Sequence, residues 1–313
     1  MARKVIIDCD PGIDDLVALV MALFDPRLEV VAVTAVAGNV PAEQATTNVQ
    51  AIIERLDPPR YPRLGAASPP EDVPFRDAAY LHGPDGLGGT GLAVSKLARQ
   101  HPSEKLICDE VRAAPGEITI VCLGPLTNVA RALARDPEVL DQIGRLVIMG
   151  GSVRAGGNVT PCAEGNIHAD PASARAVFHS ATTKTLVPLD VTDQVPWSLD
   201  LLERLPSEFT RAGKLLRAAV PFLYRSTRQH LGMETIVLPD AVAIAAVVHP
   251  ELFRTEELSG DVELSGELTT GATIFDRRPT ATHRGDMEVA LEVDVAAVTD
   301  AIVRGLADAG RQT

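Results

Sequence analysis

Basic side chains are scarce in this sequence: 29 Lys and Arg stand against 42 Asp and Glu, for a net charge of −13. A surface this acidic lacks the positive charge needed to displace counterions from a phosphate backbone, which excludes nucleic acid as a partner. Cysteine is sparse too. Cys9, Cys108, Cys122 and Cys162 form no Cys-x-x-Cys pair, and Cys9 and Cys122 fall inside apolar, strand-like runs. They read as small buried hydrophobes, not as zinc ligands or disulfide partners. No unbroken apolar run approaches the roughly 20 residues that span a bilayer, so a membrane helix is not expected. The chain opens Met1-Ala2-Arg3-Lys4 and passes at once into a strand pattern, leaving no room for a signal peptide. The expectation is a cytoplasmic protein.

What the sequence does have is core. At 313 residues and 46% hydrophobic it can bury a large interior without disulfides. Val5-Ile6-Ile7 predicts a strand, Ile13 to Phe24 a helix, Val30 to Val36 a second strand, and Pro41 to about Leu56 a helix with proline in its first turn. Ile118 to Leu123, Leu146 to Met149 and Thr185 to Leu189 predict further strands, with a helix over Leu126 to Ala134. Strands so uniformly apolar, separated by helices, imply a parallel sheet covered on both faces. Right-handed crossovers make that an α/β, doubly wound, mostly parallel sheet flanked by helices. The stretch Asp57 to Gly91 is rich in Pro and Gly and reads as a long functional loop ending in His82-Gly83-Pro84-Asp85-Gly86-Leu87-Gly88-Gly89. Leu199 to Leu231 and Asp240 to Val248 read as helices. After Glu251 the pattern alternates, and a helix closes the chain from about Val295 to Leu306. No repeat or linker divides residues 1–313, so one domain is expected.

The densest chemistry lies in Asp8-Cys9-Asp10-Pro11-Gly12-Ile13-Asp14-Asp15. Asp8 and Asp10 are two apart in an extended segment and share a side. Pro11-Gly12 turns the chain, and Asp14 and Asp15 open the next helix. All four carboxylates then crowd the carboxyl edge of a strand, where open α/β sheets bind ligands. Two carboxylates about 4 Å apart repel by roughly 4 kcal/mol at an effective dielectric near 20. A helix N-terminus offsets only about 0.3–1 kcal/mol per charge. One or two of these residues would pass as helix caps; four require a cation. An all-oxygen set favours calcium or magnesium over zinc, and its irregular spacing suits calcium's flexible coordination. No EF-hand ligand pattern follows. The Asp-x-Asp signature of haloacid-dehalogenase-like phosphatases is a rival, but it wants Gly then Thr or Val where Pro11 and Gly12 stand.

A second polar segment follows the strand ending Met149-Gly150-Gly151. It runs Asn158-Val159-Thr160-Pro161-Cys162-Ala163-Glu164-Gly165-Asn166. Asn158, Glu164 and Asn166 offer donors and acceptors suited to a sugar with several hydroxyls. By itself this is an ordinary polar loop; beside an aspartate cluster, and with Asn39 at the same sheet edge, it reads as a ribose cradle.

Together these segments resemble the nucleoside hydrolase family over most of the chain. The resemblance rests on the opening aspartate motif, Gly38-Asn39, Leu123-Gly124-Pro125-Leu126-Thr127-Asn128, Met149-Gly150-Gly151, the Asn158 to Asn166 loop and Asp240-Ala241-Val242-Ala243. It implies a calcium-dependent enzyme that hydrolyses the N-glycosidic bond of ribonucleosides, as a homodimer or homotetramer. Asp10, Asp15 and Asp240 would ligate calcium through carboxylates and Leu123 through its carbonyl, with Asp10 also the general base for the attacking water. Asp14 and Asn39 would bind the 2′- and 3′-hydroxyls, Asn166 the 3′-hydroxyl, and Asn158 and Glu164 the 5′-hydroxyl. Met149 would join them against the substrate, and Asp8 would support the site from its rim. Two positions depart from the family pattern. Pro239 stands where many members carry a histidine that protonates the departing base, which leaves His82, His230 and Tyr224 as candidates. Gly165 replaces a bulky aromatic, implying an altered base pocket. The alternatives are an Asp-x-Asp phosphatase and a non-catalytic ribose- or nucleoside-binding protein.

Overall fold

A computed structural model describes residues 2–69, 78–94, 100–278 and 286–313. Part of the Asp57–Gly91 stretch, residues 70–77, lies outside them. The chain begins β1 (Arg3–Cys9), α1 (Ile13–Phe24), β2 (Leu28–Ala35), α2 (Ala42–Leu56), β3 (Arg63–Ala66), α3 (Ala79–His82) and β4 (His101–Pro102). Next come α4 (Ser103–Ala113), β5 (Thr119–Cys122), α5 (Thr127–Arg135), β6 (Arg145–Met149), α6 (Gly165–Ala169), α7 (Pro171–Phe178), β7 (Lys184–Val187) and α8 (Leu189–Thr192). It ends with α9 (Leu201–Arg204), α10 (Arg211–Leu231), α11 (Pro239–Val248), β8 (Phe253–Leu258), β9 (Gly260–Val262), β10 (Thr273–Phe275), β11 (Met287–Val293) and α12 (Val295–Gln312).

Nine strands form one sheet in the order β4-β3-β2-β1-β5-β6-β7-β11-β8. Every neighbouring pair is parallel except β11 with β8. The apolar strands explain why both faces are covered. On β1, Val5, Ile7 and Cys9 enter one core layer, packed by α1, α2, α10, α11 and α12. Ile6 enters the other, packed by α4, α5 and α7. The doubly wound architecture expected from the sequence is therefore present. From β1 the chain winds outward through β2 to β4, then returns to β5 on the other side of β1. That reversal opens a crevice at the carboxyl ends of β1 and β5, where Asp10 lies.

Several elements differ from the sequence reading. The short β3 and the helices α4 and α7 were not anticipated. The Thr185–Leu189 strand stops at Val187, because Pro188 cannot donate to a ladder, and Leu189 starts α8. α10 runs unbroken through Pro221, which costs it one backbone hydrogen bond; Leu215, Leu216, Ala219, Val220 and Leu223, all buried, hold it together. The sheet ends bluntly on both sides. β4 is two residues long and finishes in Pro102, while β8 exposes Arg254, Glu256 and Glu257. Among the described residues no helix is long and apolar enough to cross a membrane.

Candidate active site

β1 delivers Asp10 to the crevice and Pro11-Gly12 turns the chain into α1. The Asp10 carboxylate fits only because its neighbours lack side chains. A Cβ on Gly38 would lie 1.9 Å from Asp10 Oδ2, and one on Gly124 would lie 2.7 Å from Oδ1. Oδ2 accepts the Asn39 backbone N–H at 2.6 Å. Asp15 caps its own helix by accepting the Gly12 N–H at 2.8 Å. Asp240 comes from the first turn of α11, directly after Pro239 at the helix's first position. Two helix N-termini thus face one cluster of negative charge.

Asp14, Asp15 and Asp240 bring one carboxylate oxygen each within 4.8 Å of the others. Oδ1 of Asp10, of Asp14 and of Asp15 are buried without a hydrogen-bond partner. Burial, with the charge of neighbouring carboxylates added to it, raises the Asp10, Asp15 and Asp240 carboxyls well above their usual range. Buried oxygens with no donor are costly; a hard cation bound through oxygens satisfies them, so the residues present fit a metal ion. Asp10 stands beside the tight trio rather than inside it.

Asp8 takes a different position from the expected rim. Its Oδ1 accepts from Thr34 Oγ1 at 2.6 Å and Asn128 Nδ2 at 2.8 Å, a layer behind the crevice. Burial pushes its carboxyl up to about 7, against the pull of those two donors.

A cavity of about 530 Å³ opens over the cluster, lined by Asp10, Asp14 and Asp240 and by Asn39, Leu123, Met149, Asn158, Glu164 and Asn166. The Asn158–Asn166 loop is held by its own polar groups. Glu164 caps α6, accepting the backbone N–H of Asn166 at 2.9 Å, of Ile167 at 3.1 Å and of Gly151 at 3.0 Å. Asn158 Oδ1 accepts the Gly165 N–H at 3.0 Å. Asn166 Nδ2 donates to the carbonyls of Leu123 at 2.6 Å and Met149 at 3.2 Å, tying the loop to the ends of β5 and β6.

The three candidates for the leaving-group role separate sharply. His82 lines the cavity, its Nδ1 accepting the Ile13 backbone N–H at 3.1 Å and lying 3.8 Å from Asp14 Oδ1. An Nδ1 that accepts a hydrogen bond leaves the neutral ring's proton on Nε2. His230 is exposed and stands edge-on against Tyr80 with ring centroids 5.7 Å apart. Tyr224 is buried, donates its hydroxyl to the Ser198 carbonyl at 2.5 Å, and does not line the cavity. Pro239 and Gly165 both line it. Sequence reasoning overlooked Asp193, a further cavity-lining carboxyl. It belongs to no motif, and only the placement of α8 shows it.

The chain is similar to known proteins over nearly its whole length. Residues 5–300 match the family model described as inosine-uridine preferring nucleoside hydrolase. The chain is 40% identical over 294 residues to the non-specific ribonucleoside hydrolase RihC of Salmonella enteritidis, covering 93% of each. Among solved structures, the plant nucleoside hydrolase PpNRh1 superposes with a TM-score of 0.90 at 33% identity, over 98% of this chain and 99% of that one. The purine-preferring ribonucleoside hydrolase of Gardnerella vaginalis gives 0.92 at 29% identity, over 99% and 100%.

Proposed function

The chain belongs to the inosine-uridine preferring nucleoside hydrolase family and is a ribonucleoside hydrolase, and from that premise we propose that it cleaves the N-glycosidic bond with calcium held by Asp10, Asp15, Asp240 and the Leu123 carbonyl. The observation that carries this reading is the set of buried, unpartnered carboxylate oxygens on Asp10, Asp14 and Asp15 at the floor of a polar cavity. When bound, the ion would neutralise these carboxylates and make a nearby water easier to deprotonate. Asp10 accepts the proton of the attacking water, in a position fixed by the Asn39 N–H and by the space at Gly38 and Gly124. Asp14, Asn39 and Asn166 bind the 2′- and 3′-hydroxyls, Asn158 and Glu164 the 5′-hydroxyl, and Met149 packs against the sugar. Positive charge grows on the ribose as the bond to the base stretches, and the surrounding carboxylates stabilise it. Direct attack by water inverts the anomeric carbon.

Proline at 239 can neither give nor take a proton. Among the described residues His82 is the histidine that lines the cavity, and Nε2 is the ring nitrogen that carries its proton in the neutral form. We place the enzyme in the cytoplasm as a one-domain catalytic unit that assembles as a dimer or tetramer. The decisive assay follows reducing-sugar release from purine and pyrimidine nucleosides with and without a calcium chelator. Ribose release that stops on chelation and returns with calcium is the expected result. Turnover of phosphomonoesters with magnesium, and none of nucleosides, would overturn the reading.

A further inference from the structure

We infer that Asp193 reads the Watson–Crick edge of the nucleobase and selects guanosine over adenosine. The inference rests on the nucleoside-hydrolase reading above and names the base that reading leaves open.

The cavity has two sides of different chemistry. Its charged floor comprises Asp10, Asp14, Asp240 and Glu164, and these belong to the metal and the sugar. Elsewhere the lining is mostly apolar, with Pro196, Leu223, Leu231, Met233 and Val237 prominent. Three ionisable side chains stand among that lining, Tyr80, His82 and Asp193, and of these Asp193 is the carboxylate.

Backbone hydrogen bonds fix where Asp193 stands. The Leu189 N–H donates to the Gly151 carbonyl at 3.0 Å, anchoring the start of α8 to the sugar-side loop. One turn later the Asp193 N–H closes onto the Leu189 carbonyl at 3.0 Å. Trp197 and Ile236 then exchange both backbone hydrogen bonds, at 2.8 and 3.0 Å. This antiparallel bridge sets Pro196 beside Val237, in the segment that leads into Pro239 and Asp240. Asp193 lies on the chain between these two anchors and lines the cavity, where a base attached to C1′ would lie against it.

Its carboxyl is also uncommitted. Asp190, on the short helix that Asp193 ends, spends both oxygens on the Val153 and Arg154 N–H groups, at 2.7 and 2.8 Å. The Asp193 carboxylate has no hydrogen bond or ion pair among the described residues. Asp193 is solvent-accessible at the cavity wall, and its two carboxylate oxygens are open to a donor in the ligand.

A carboxylate offers two acceptors and no donor. Guanine presents N1–H and N2–H₂ side by side, a bidentate match. Hypoxanthine offers N1–H alone. Adenine places the N1 lone pair beside its amino group and sets an acceptor against the carboxylate, leaving a polar group unpaired.

The test measures kcat/KM for guanosine, inosine and adenosine with calcium present, in the unaltered enzyme and in Asp193→Asn and Asp193→Ala. Guanosine is expected to lead and adenosine to trail. Asp193→Asn, whose amide both donates and accepts, should lower the guanosine-to-adenosine ratio by roughly tenfold or more, and Asp193→Ala should bring it toward unity. A merely structural role would depress all three substrates together and leave the ratio where it was. An unchanged ratio, or an adenosine preference in the unaltered enzyme, overturns the proposal while ribose release still upholds the hydrolase. Failure to release ribose from any nucleoside overturns both.

Discussion

Replacing Gly38 with alanine adds one carbon directly against the proposed general base. That carbon would lie 1.9 Å from Asp10 Oδ2, 2.7 Å from Cγ and 2.9 Å from Cβ. Ordinary contact begins at 3.4 Å, so the carboxylate must retreat by about 1.5 Å. Gly38 does not adopt a left-handed φ, so alanine meets no backbone penalty of its own. The whole effect falls on Asp10 and its 2.6 Å bond to the Asn39 N–H. A displacement of about 1 Å in a catalytic group costs on the order of a hundredfold in rate. Overpacking of this kind costs about 1–3 kcal/mol of stability. The expected outcome is a kcat lower by at least about a hundredfold, together with weaker calcium binding by titration calorimetry. The protein should stay folded, with a modest fall in Tm. Gly124→Ala approaches Oδ1 from the other side at 2.7 Å and should act in the same direction more mildly. A kcat for Gly38→Ala equal to that of the unaltered enzyme would show that the position of Asp10 does not govern the chemistry.

Chelated protein should lose stability as pH rises. Unfolded, Asp8 titrates near 3.8, but in the folded chain burial holds it at about 7, with Asp10, Asp15 and Asp240 also raised. The native state therefore keeps protons that the unfolded chain releases, and stability drains away from about pH 4 to 7, by on the order of 4 kcal/mol for Asp8 alone. Calorimetric scans in EDTA should show Tm falling over that window and calcium restoring it at pH 7; a flat Tm in EDTA contradicts the argument. Asn128→Ala removes the donor shared by Asp8 Oδ1 and the Ala35 carbonyl, both at 2.8 Å, and should cost about 1–3 kcal/mol in urea unfolding. Gly305→Ala adds a carbon in α12 that meets Met21 at no closer than 3.4 Å, so it should stabilise the protein by about 0.5–1 kcal/mol with kcat unaltered.

The parts of this molecule legible from the sequence are those set by local pattern. α1 is found from Ile13 to Phe24 as read, because its apolar run is bounded by a Pro-Gly turn and by Asp25 in an extended conformation. The aspartate cluster was legible because three of its members lie within six residues of one another, at a strand end that the topology turns into a crevice. The missed elements lacked such signals. β3 spells Arg-Leu-Gly-Ala, with no alternation and a glycine inside, and owes its place to pairing with Thr34 and its neighbours on β2. Asp8 was read as facing the site with Asp10, but the carboxylate turns to Thr34 and Asn128, partners that arrive from β2 and α5. Tyr224 illustrates the same limit: only the packing of α10 gives its hydroxyl to Ser198. Local spacing can show which groups are chemically capable; long-range packing decides which of them are already occupied.

The two margins of the sheet bear on how copies of this chain can meet. One margin is a strand of two residues closed by an imino acid, and the other carries a row of like and unlike charges in water. The first is too short, and the second too charged, to invite a neighbour's strand. A second subunit, if one binds, would then take hold through side chains on helices and loops. Assembly of that kind would leave each crevice with its own complete backbone frame, its strength tunable by exchanging individual surface residues.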